Sequence, residues 1–76
     1  MIIKILGSGC AKCKKLEENV RKAVANKGVD ATVEKVTDMD KIMDYGVMMT
    51  PALVIDEKVI SAGKLLKVEE IAKLLG

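Results

Sequence analysis

The hydrophobic pattern changes period early in the chain. Residues 2–6 form a short, mostly β-branched run that glycines at positions 7 and 9 end, a pattern typical of a buried strand followed by a tight loop. From Cys13 onward, apolar residues recur at spacings of three and four while charged residues occupy the other face. This spacing predicts an amphipathic helix of about four turns that ends near Gly28.

A second strand and a short helix follow. Apolar and polar positions alternate at the start of residues 31–36, which predicts a strand there. Thr37 lies three residues before Asp40, a spacing that resembles a capping box, so we expect the short helix to open at Thr37 and to stop at Gly46. Three apolar residues supply the stripe of this helix: Met39, Ile42 and Met43.

The last part of the chain predicts a hairpin and a helix. An apolar run at residues 52–55 and a mostly apolar run at residues 59–61 are separated by three polar residues and form the predicted β-hairpin. Over residues 68–75 the apolar positions share one helix face, and Gly76 follows. The order β-α-β-α-β-β-α predicts an α/β fold with a four-stranded mixed sheet, a right-handed parallel β-α-β unit and helices on both faces.

The length and amino-acid composition of the chain exclude several classes of function. With 76 residues the chain is expected to form one domain over residues 1–76. The absence of histidine excludes Ser-His and Cys-His nucleophile pairs and His-ligated metal centres. Tyr45 is the only aromatic residue, which excludes stacking on nucleic-acid bases. A formal net charge of +2 argues against a polyanion-binding surface, so no nucleic-acid partner is expected.

The apolar stretches are too short for membrane insertion. No run approaches the ~20 apolar residues that a spanning helix needs. Lys4 and two glycines interrupt the N-terminal stretch, unlike the continuous apolar segment of a signal peptide. We therefore expect a cytoplasmic monomer with no membrane partner.

The two cysteines are the candidate chemistry. Cys10 and Cys13 lie three residues apart where the first strand leads into the first helix, so both sulfurs share one face of the first turn within reach of a disulfide. The helix N-terminus and nearby Lys12 are expected to lower the pKa of the Cys10 thiol, whereas Cys13 lies deeper on the apolar face. We therefore assign Cys10 as the attacking thiol and Cys13 as the resolving thiol. The alternative is a pair of unreactive thiols.

A second feature makes the pattern more specific. Pro51, the sole proline, follows Thr50 and opens the third strand, where an ordinary trans proline is also tolerated. A CxxC between the first strand and helix, Thr50-Pro51 before a hairpin, and a closing helix together resemble the thioredoxin/glutaredoxin superfamily in its minimal form. The resemblance covers essentially the whole chain and is strongest to the small family called redox-active disulfide protein 2. It implies that Pro51 is cis, packs beside the disulfide, and lets the Thr50 backbone pair with an extended substrate segment.

The chain departs from the larger families at two places. The buried acid that thioredoxins carry six residues before the CxxC falls on Lys4. Residues 61–64 read Ser-Ala-Gly-Lys where glutaredoxins carry Gly-Gly and an acidic residue, so glutathione is not expected as a substrate. Met48 and Met49 fit either a soft surface for an apolar substrate segment or core filler, and in a chain without Phe or Trp the core is the favoured interpretation.

The sequence therefore predicts a thiol-disulfide oxidoreductase that takes electrons from a reductase and passes them to disulfides in proteins. Met49, Thr50 and Pro51 are expected on the substrate side, with no cofactor and no metal. One alternative is a metallochaperone that binds Cu(I) through the same two thiolates, although that family ends in a strand rather than a helix. The other is a non-catalytic adaptor module of the same fold.

Overall fold

The structure, a computed structural model, describes residues 1–75 as four strands and three helices in the predicted order. They are β1 (Ile2–Leu6), α1 (Ala11–Lys27), β2 (Thr32–Val36), α2 (Met39–Asp44), β3 (Ala52–Ile55), β4 (Lys58–Ala62) and α3 (Val68–Leu74). The predicted fold class is confirmed. Gly76, predicted to follow the last helix, lies outside the described residues. Among residues 1–75, no helix has both the length and the apolar character needed to cross a bilayer.

The four strands form one mixed sheet in the order β2-β1-β3-β4. Strand β1 pairs in parallel with β2 and antiparallel with β3, and β4 completes an antiparallel hairpin. At the carboxyl end of β1, Leu6 is aligned with Val36 of β2 and with Ala52 of β3. The next N–H, that of Gly7, donates to the Val36 carbonyl at 3.0 Å. This pairing places the loop that leads from β1 to Cys10 beside the start of β3.

Alternate side chains of β1 enter two hydrophobic clusters on opposite faces of the sheet. The larger cluster packs β1 and β3 against α1 and α3, and includes the fully buried Ile3, Leu16 and Ile71. The smaller cluster packs Leu6 and Val54 against α2. The helices therefore cover both faces, as predicted.

Helix α2 differs from the prediction at its start and on its apolar face. Asp38, not Thr37, is the N-cap, and its Oδ1 accepts a hydrogen bond from the Asp40 N–H at 2.9 Å. The predicted Thr37 capping box is wrong because the neighbouring carboxylate is a stronger acceptor at the positive end of a helix. Met39 and Met43 were predicted to be apolar-stripe residues, but both are exposed. A helix of six residues on a small cluster buries only Ile42.

The hairpin turn is shorter than the predicted three-residue connection. It consists of Asp56 and Glu57, which have φ values of 49° and 68°. Left-handed backbone costs a non-glycine residue roughly 1–2 kcal/mol, and contacts with β1 offset this cost. The Asp56 Oδ1 accepts from the Ile2 N–H at 2.9 Å, and the Ile2 carbonyl accepts from the Asp56 N–H at 2.9 Å. Two-residue hairpin turns of this conformation match the twist of the strands they join.

Asn19 is a buried polar residue that was not predicted from the sequence. It lies on the inner face of α1, and its side-chain amide donates to the Leu66 carbonyl at 2.9 Å. Because Leu66 lies just before α3, this bond fixes the entry to α3 against α1. The signal in the sequence is a polar residue on the stripe that also contains Leu16 and Val20.

Candidate active site

The two cysteines form a disulfide at the start of α1. Cys10 is the N-cap residue, and its sulfur accepts a hydrogen bond from the Cys13 N–H at 3.2 Å. The Cα atoms of the two residues are 5.0 Å apart. The helix begins at Ala11, two residues before the start of the predicted apolar spacing, because Cys10 itself caps it. The capping position brings the two sulfurs together over one helical turn.

The two sulfurs have different environments. Cys10 is exposed, whereas Cys13 is 5% exposed. The first turn of α1 carries no acidic residue, so its unpaired N–H groups and positive dipole end face Cys10 without a competing carboxylate. Lys12 lies in that turn, is exposed, and forms no salt bridge with a side chain of residues 1–75. This arrangement favours negative charge at the Cys10 sulfur.

The loop before β3 lies close to the start of the CxxC segment. Gly7 lies between Cys13 and Thr50: a Cβ placed on Gly7 would overlap the Cys13 sulfur and lie 3.8 Å from the Thr50 Cβ. The peptide bond between Thr50 and Pro51 is cis. Pro51 is fully buried, and its carbonyl accepts a hydrogen bond from the Gly63 N–H at 2.8 Å. The structure therefore brings Thr50, from the predicted substrate side, next to the CxxC turn.

The two methionines before Thr50 are on the surface. Met48 is 95% exposed and Met49 is 63% exposed, so their interpretation as core filler is wrong. The two hydrophobic clusters are filled by other side chains, and the loop that carries the methionines contributes Val47 to the smaller cluster instead. Met49 packs on Gly63, where an added Cβ would lie 2.9 Å from the Met49 Cβ. Two flexible thioethers are thus exposed on the loop directly before Thr50.

A polar cluster on the α2 face of the sheet was not predicted. The Lys4 ammonium donates to the Tyr45 hydroxyl at 2.9 Å and to the Glu57 carboxylate at 2.6 Å. The Tyr45 hydroxyl donates to the same carboxylate at 3.1 Å. Hydrogen bonding to Glu57 raises the pKa of Lys4, and hydrogen bonds from Lys4 and Tyr45 lower the pKa of Glu57. The signal was a lysine inside an apolar strand, which needs a partner when it is partly buried.

Neither of two clefts in the structure encloses the disulfide. A groove of about 760 Å³ lies beside Lys4, Tyr45 and Glu57, and no cysteine lines it. A cleft of about 40 Å³ lies beside Cys13 and Gly7, large enough for about one water molecule. Within residues 1–75, no group of three or more cysteine and carboxylate side chains is arranged to hold a metal ion.

Comparisons of the sequence with known proteins point to one family. The family model described as "Thioredoxin domain" matches residues 1–76. A protein named thioredoxin from Methanothermobacter thermautotrophicus is 43% identical over 75 residues, which cover 99% of this chain and 97% of that protein. A second protein named thioredoxin, from Methanocaldococcus jannaschii, is 43% identical over 75 residues, which cover 99% of this chain and 86% of that protein.

Proposed function

The chain belongs to the thioredoxin family, and from this premise we propose that it reduces disulfide bonds in proteins through Cys10 and Cys13. As a member of this family, the protein is a redox oxidoreductase. The observation that carries the proposal is one disulfide between an exposed sulfur at a helix N-cap and a buried sulfur one turn later. A purely structural disulfide needs neither the exposure nor the helix end, whereas an attacking thiolate benefits from both.

The proposed reaction has two exchange steps. The Cys10 thiolate attacks one sulfur of a substrate disulfide, the substrate bond breaks, and a mixed disulfide forms while the first substrate thiolate leaves. The Cys13 thiolate then attacks the Cys10 sulfur, the Cys10–Cys13 bond forms, and the second substrate thiolate leaves. The substrate gains two electrons and takes its protons from solvent. A reductase then returns the protein to the dithiol form.

The start of α1 supports the role of Cys10 in the first step. Backbone N–H groups at the N-terminus of a 17-residue helix stabilise a negative charge at the capping sulfur. Lys12 adds a positive charge in the same turn, and we assign it the role of favouring the thiolate form of Cys10. The burial of Cys13 keeps its thiol from attacking the substrate disulfide first, in place of Cys10.

Met49, Thr50 and Pro51 form the proposed substrate side. A protein disulfide reaches Cys10 only with its flanking chain, and an extended segment gains affinity by main-chain pairing with exposed backbone. Thr50 is exposed and adjoins the CxxC turn, which supports its backbone as the pairing partner. The exposed thioether of Met49 adds an adaptable apolar contact beside it.

Insulin reduction tests the proposed activity. With dithiothreitol as the electron source, the wild-type protein is expected to accelerate precipitation of the released insulin B chain. Cys10→Ser and Cys13→Ser are expected to remove the acceleration, because each breaks the two-step cycle. A wild-type protein that leaves the dithiothreitol rate unchanged would contradict the proposed function.

The metallochaperone alternative has less support. Its family ends in a strand, whereas the last element within residues 1–75 is helix α3. Titration in thiol redox buffers with and without a competing Cu(I) chelator separates the two functions. For a redox protein, the midpoint of the dithiol–disulfide titration is the same in both series. For a Cu(I) carrier with Cu(I) present, the midpoint shifts when the chelator is omitted.

A further inference from the structure

We propose that Gly7 is a positioning residue for Cys13: the missing side chain leaves the space in which the resolving sulfur lies. This inference rests on the proposed function, since it assigns Gly7 to the second exchange step. Gly7 itself does not touch the substrate disulfide in this role. It acts only through the location of the Cys13 sulfur.

The geometry around Gly7 is tight. Gly7 is buried at the end of β1, where its N–H is bonded to the Val36 carbonyl at 3.0 Å. A Cβ placed on Gly7 would overlap the Cys13 sulfur and lie 3.2 Å from the Cys13 Cβ. The Gly7 backbone is anchored by the sheet, so the sulfur rather than the strand would have to move.

Comparison with other glycines of the chain shows whether position 7 requires glycine for space or for its backbone conformation. Gly9, Gly28 and Gly46 have positive φ values of 83°, 64° and 76°, and an added Cβ on any of them meets nothing within 4 Å. Gly7 is not among the glycines with positive φ. Its requirement for glycine therefore comes from the Cys13 sulfur and not from a left-handed backbone.

The resolution step is sensitive to this space. The Cys13 sulfur must approach the Cys10 sulfur in line with the bond that breaks, and the electron pair of that bond leaves with the substrate sulfur. An alanine at Gly7 would displace the Cys13 sulfur by about 1 Å, and a misplacement of that size can cost about 10²-fold in rate. The first attack by exposed Cys10 does not use the Cys13 sulfur and is not affected.

Stopped-flow reaction with one equivalent of 5,5′-dithiobis(2-nitrobenzoate) separates the two steps. Attack by Cys10 releases one thionitrobenzoate at a rate that depends on reagent concentration. Resolution by Cys13 releases the second in a first-order phase. In Gly7→Ala we expect the first phase within about twofold of wild type and the second phase slowed about tenfold or more. A second phase at the wild-type rate would overturn the proposal.

Gly9→Ala is the matched control in the same loop. It adds a methyl group to a strained backbone but meets no neighbouring atom. Its second phase should stay close to the wild-type rate. If Gly9→Ala slows resolution as much as Gly7→Ala does, loop strain accounts for the effect and the role of Gly7 is overturned.

A double variant keeps the proposal testable even if Gly7→Ala does not fold. In a Cys13→Ala background the overlapping sulfur is absent, so Gly7→Ala should shift the urea midpoint much less than it does in the reduced wild-type protein. An equal shift in both backgrounds would overturn the proposal. Failure of the wild-type protein to accelerate insulin reduction overturns the proposed function instead, so the two failures are distinguishable.

Discussion

Asn19→Ala tests how the helix that carries both cysteines is held in place. The substitution removes the amide that donates to the Leu66 carbonyl at 2.9 Å. Asn19 is 8% exposed and Leu66 is 6% exposed, so water does not readily replace the lost donor. A buried carbonyl left without its partner costs about 1–3 kcal/mol. For a domain of this size that loss lowers Tm by between about 4 °C and about 24 °C.

Urea unfolding followed by circular dichroism, with the disulfide intact in every sample, measures the loss. Asn26→Ala is the matched control, because Asn26 lies exposed on the same helix. Its free energy of unfolding should stay within about 0.5 kcal/mol of wild type. An Asn19→Ala protein that also stays within about 0.5 kcal/mol of wild type would refute the argument that this bond anchors α3 to α1.

Two further predictions concern the cysteines and the polar cluster. Iodoacetamide near neutral pH should alkylate reduced Cys10 at least about tenfold faster than Cys13. Lys12→Gln should slow the Cys10 reaction about twofold at low salt. Equal alkylation rates of the two cysteines, measured by peptide mass spectrometry, would contradict the assignment of Cys10 as the attacking thiol. Hydrogen bonds from Lys4 and Tyr45 lower the pKa of Glu57, so its contribution to stability is present above the ordinary glutamate pKa of about 4.3 and is lost as pH falls through the lower folded-state value. The difference in free energy of unfolding in urea between wild type and Glu57→Gln should therefore decrease as pH is lowered below about 4.3. A difference that does not depend on pH would contradict the ion pair between Glu57 and Lys4.

Local periodicity was sufficient to predict the elements and the CxxC turn. A spacing of three residues at the start of a helix fixes both sulfurs on one turn wherever the helix packs. The same is true of the apolar stripes that predict α1 and α3. These features depend on neighbours in sequence, which the sequence shows directly.

The features that were missed depend on distant residues or on one-residue choices. Lys4 donates a hydrogen bond to Glu57, which is 53 residues away in the sequence, and Asn19 donates one to Leu66, which is 47 residues away. No local pattern links such pairs before the sheet order is known. The cap of α2 was a choice between two adjacent residues that both favour the N-cap position, Thr37 and Asp38, and the carboxylate of Asp38 is the stronger acceptor at the positive end of the helix.

The Met48 and Met49 interpretation failed for a related reason. Methionine suits both a protein core and a substrate-binding surface, and composition does not show which of the two a given methionine occupies. The deciding fact is that the loop before β3 buries Val47 and Pro51 and leaves the two methionine side chains exposed. The same loop placement brings Thr50 to the CxxC turn.

Trapping of a mixed disulfide with Cys13→Ser tests the central claim most directly. Without the resolving thiol, Cys10 should remain joined to the substrate after its attack. The reduced Cys13→Ser protein is incubated with an extract of the cells that make it, and disulfide-linked complexes are isolated and mapped by mass spectrometry. We expect proteins linked through Cys10, and we expect none when Cys10→Ser is added to the same variant. Recovery of no mixed disulfide, or of equal amounts from both variants, would contradict the proposal that Cys10 delivers electrons to protein disulfides.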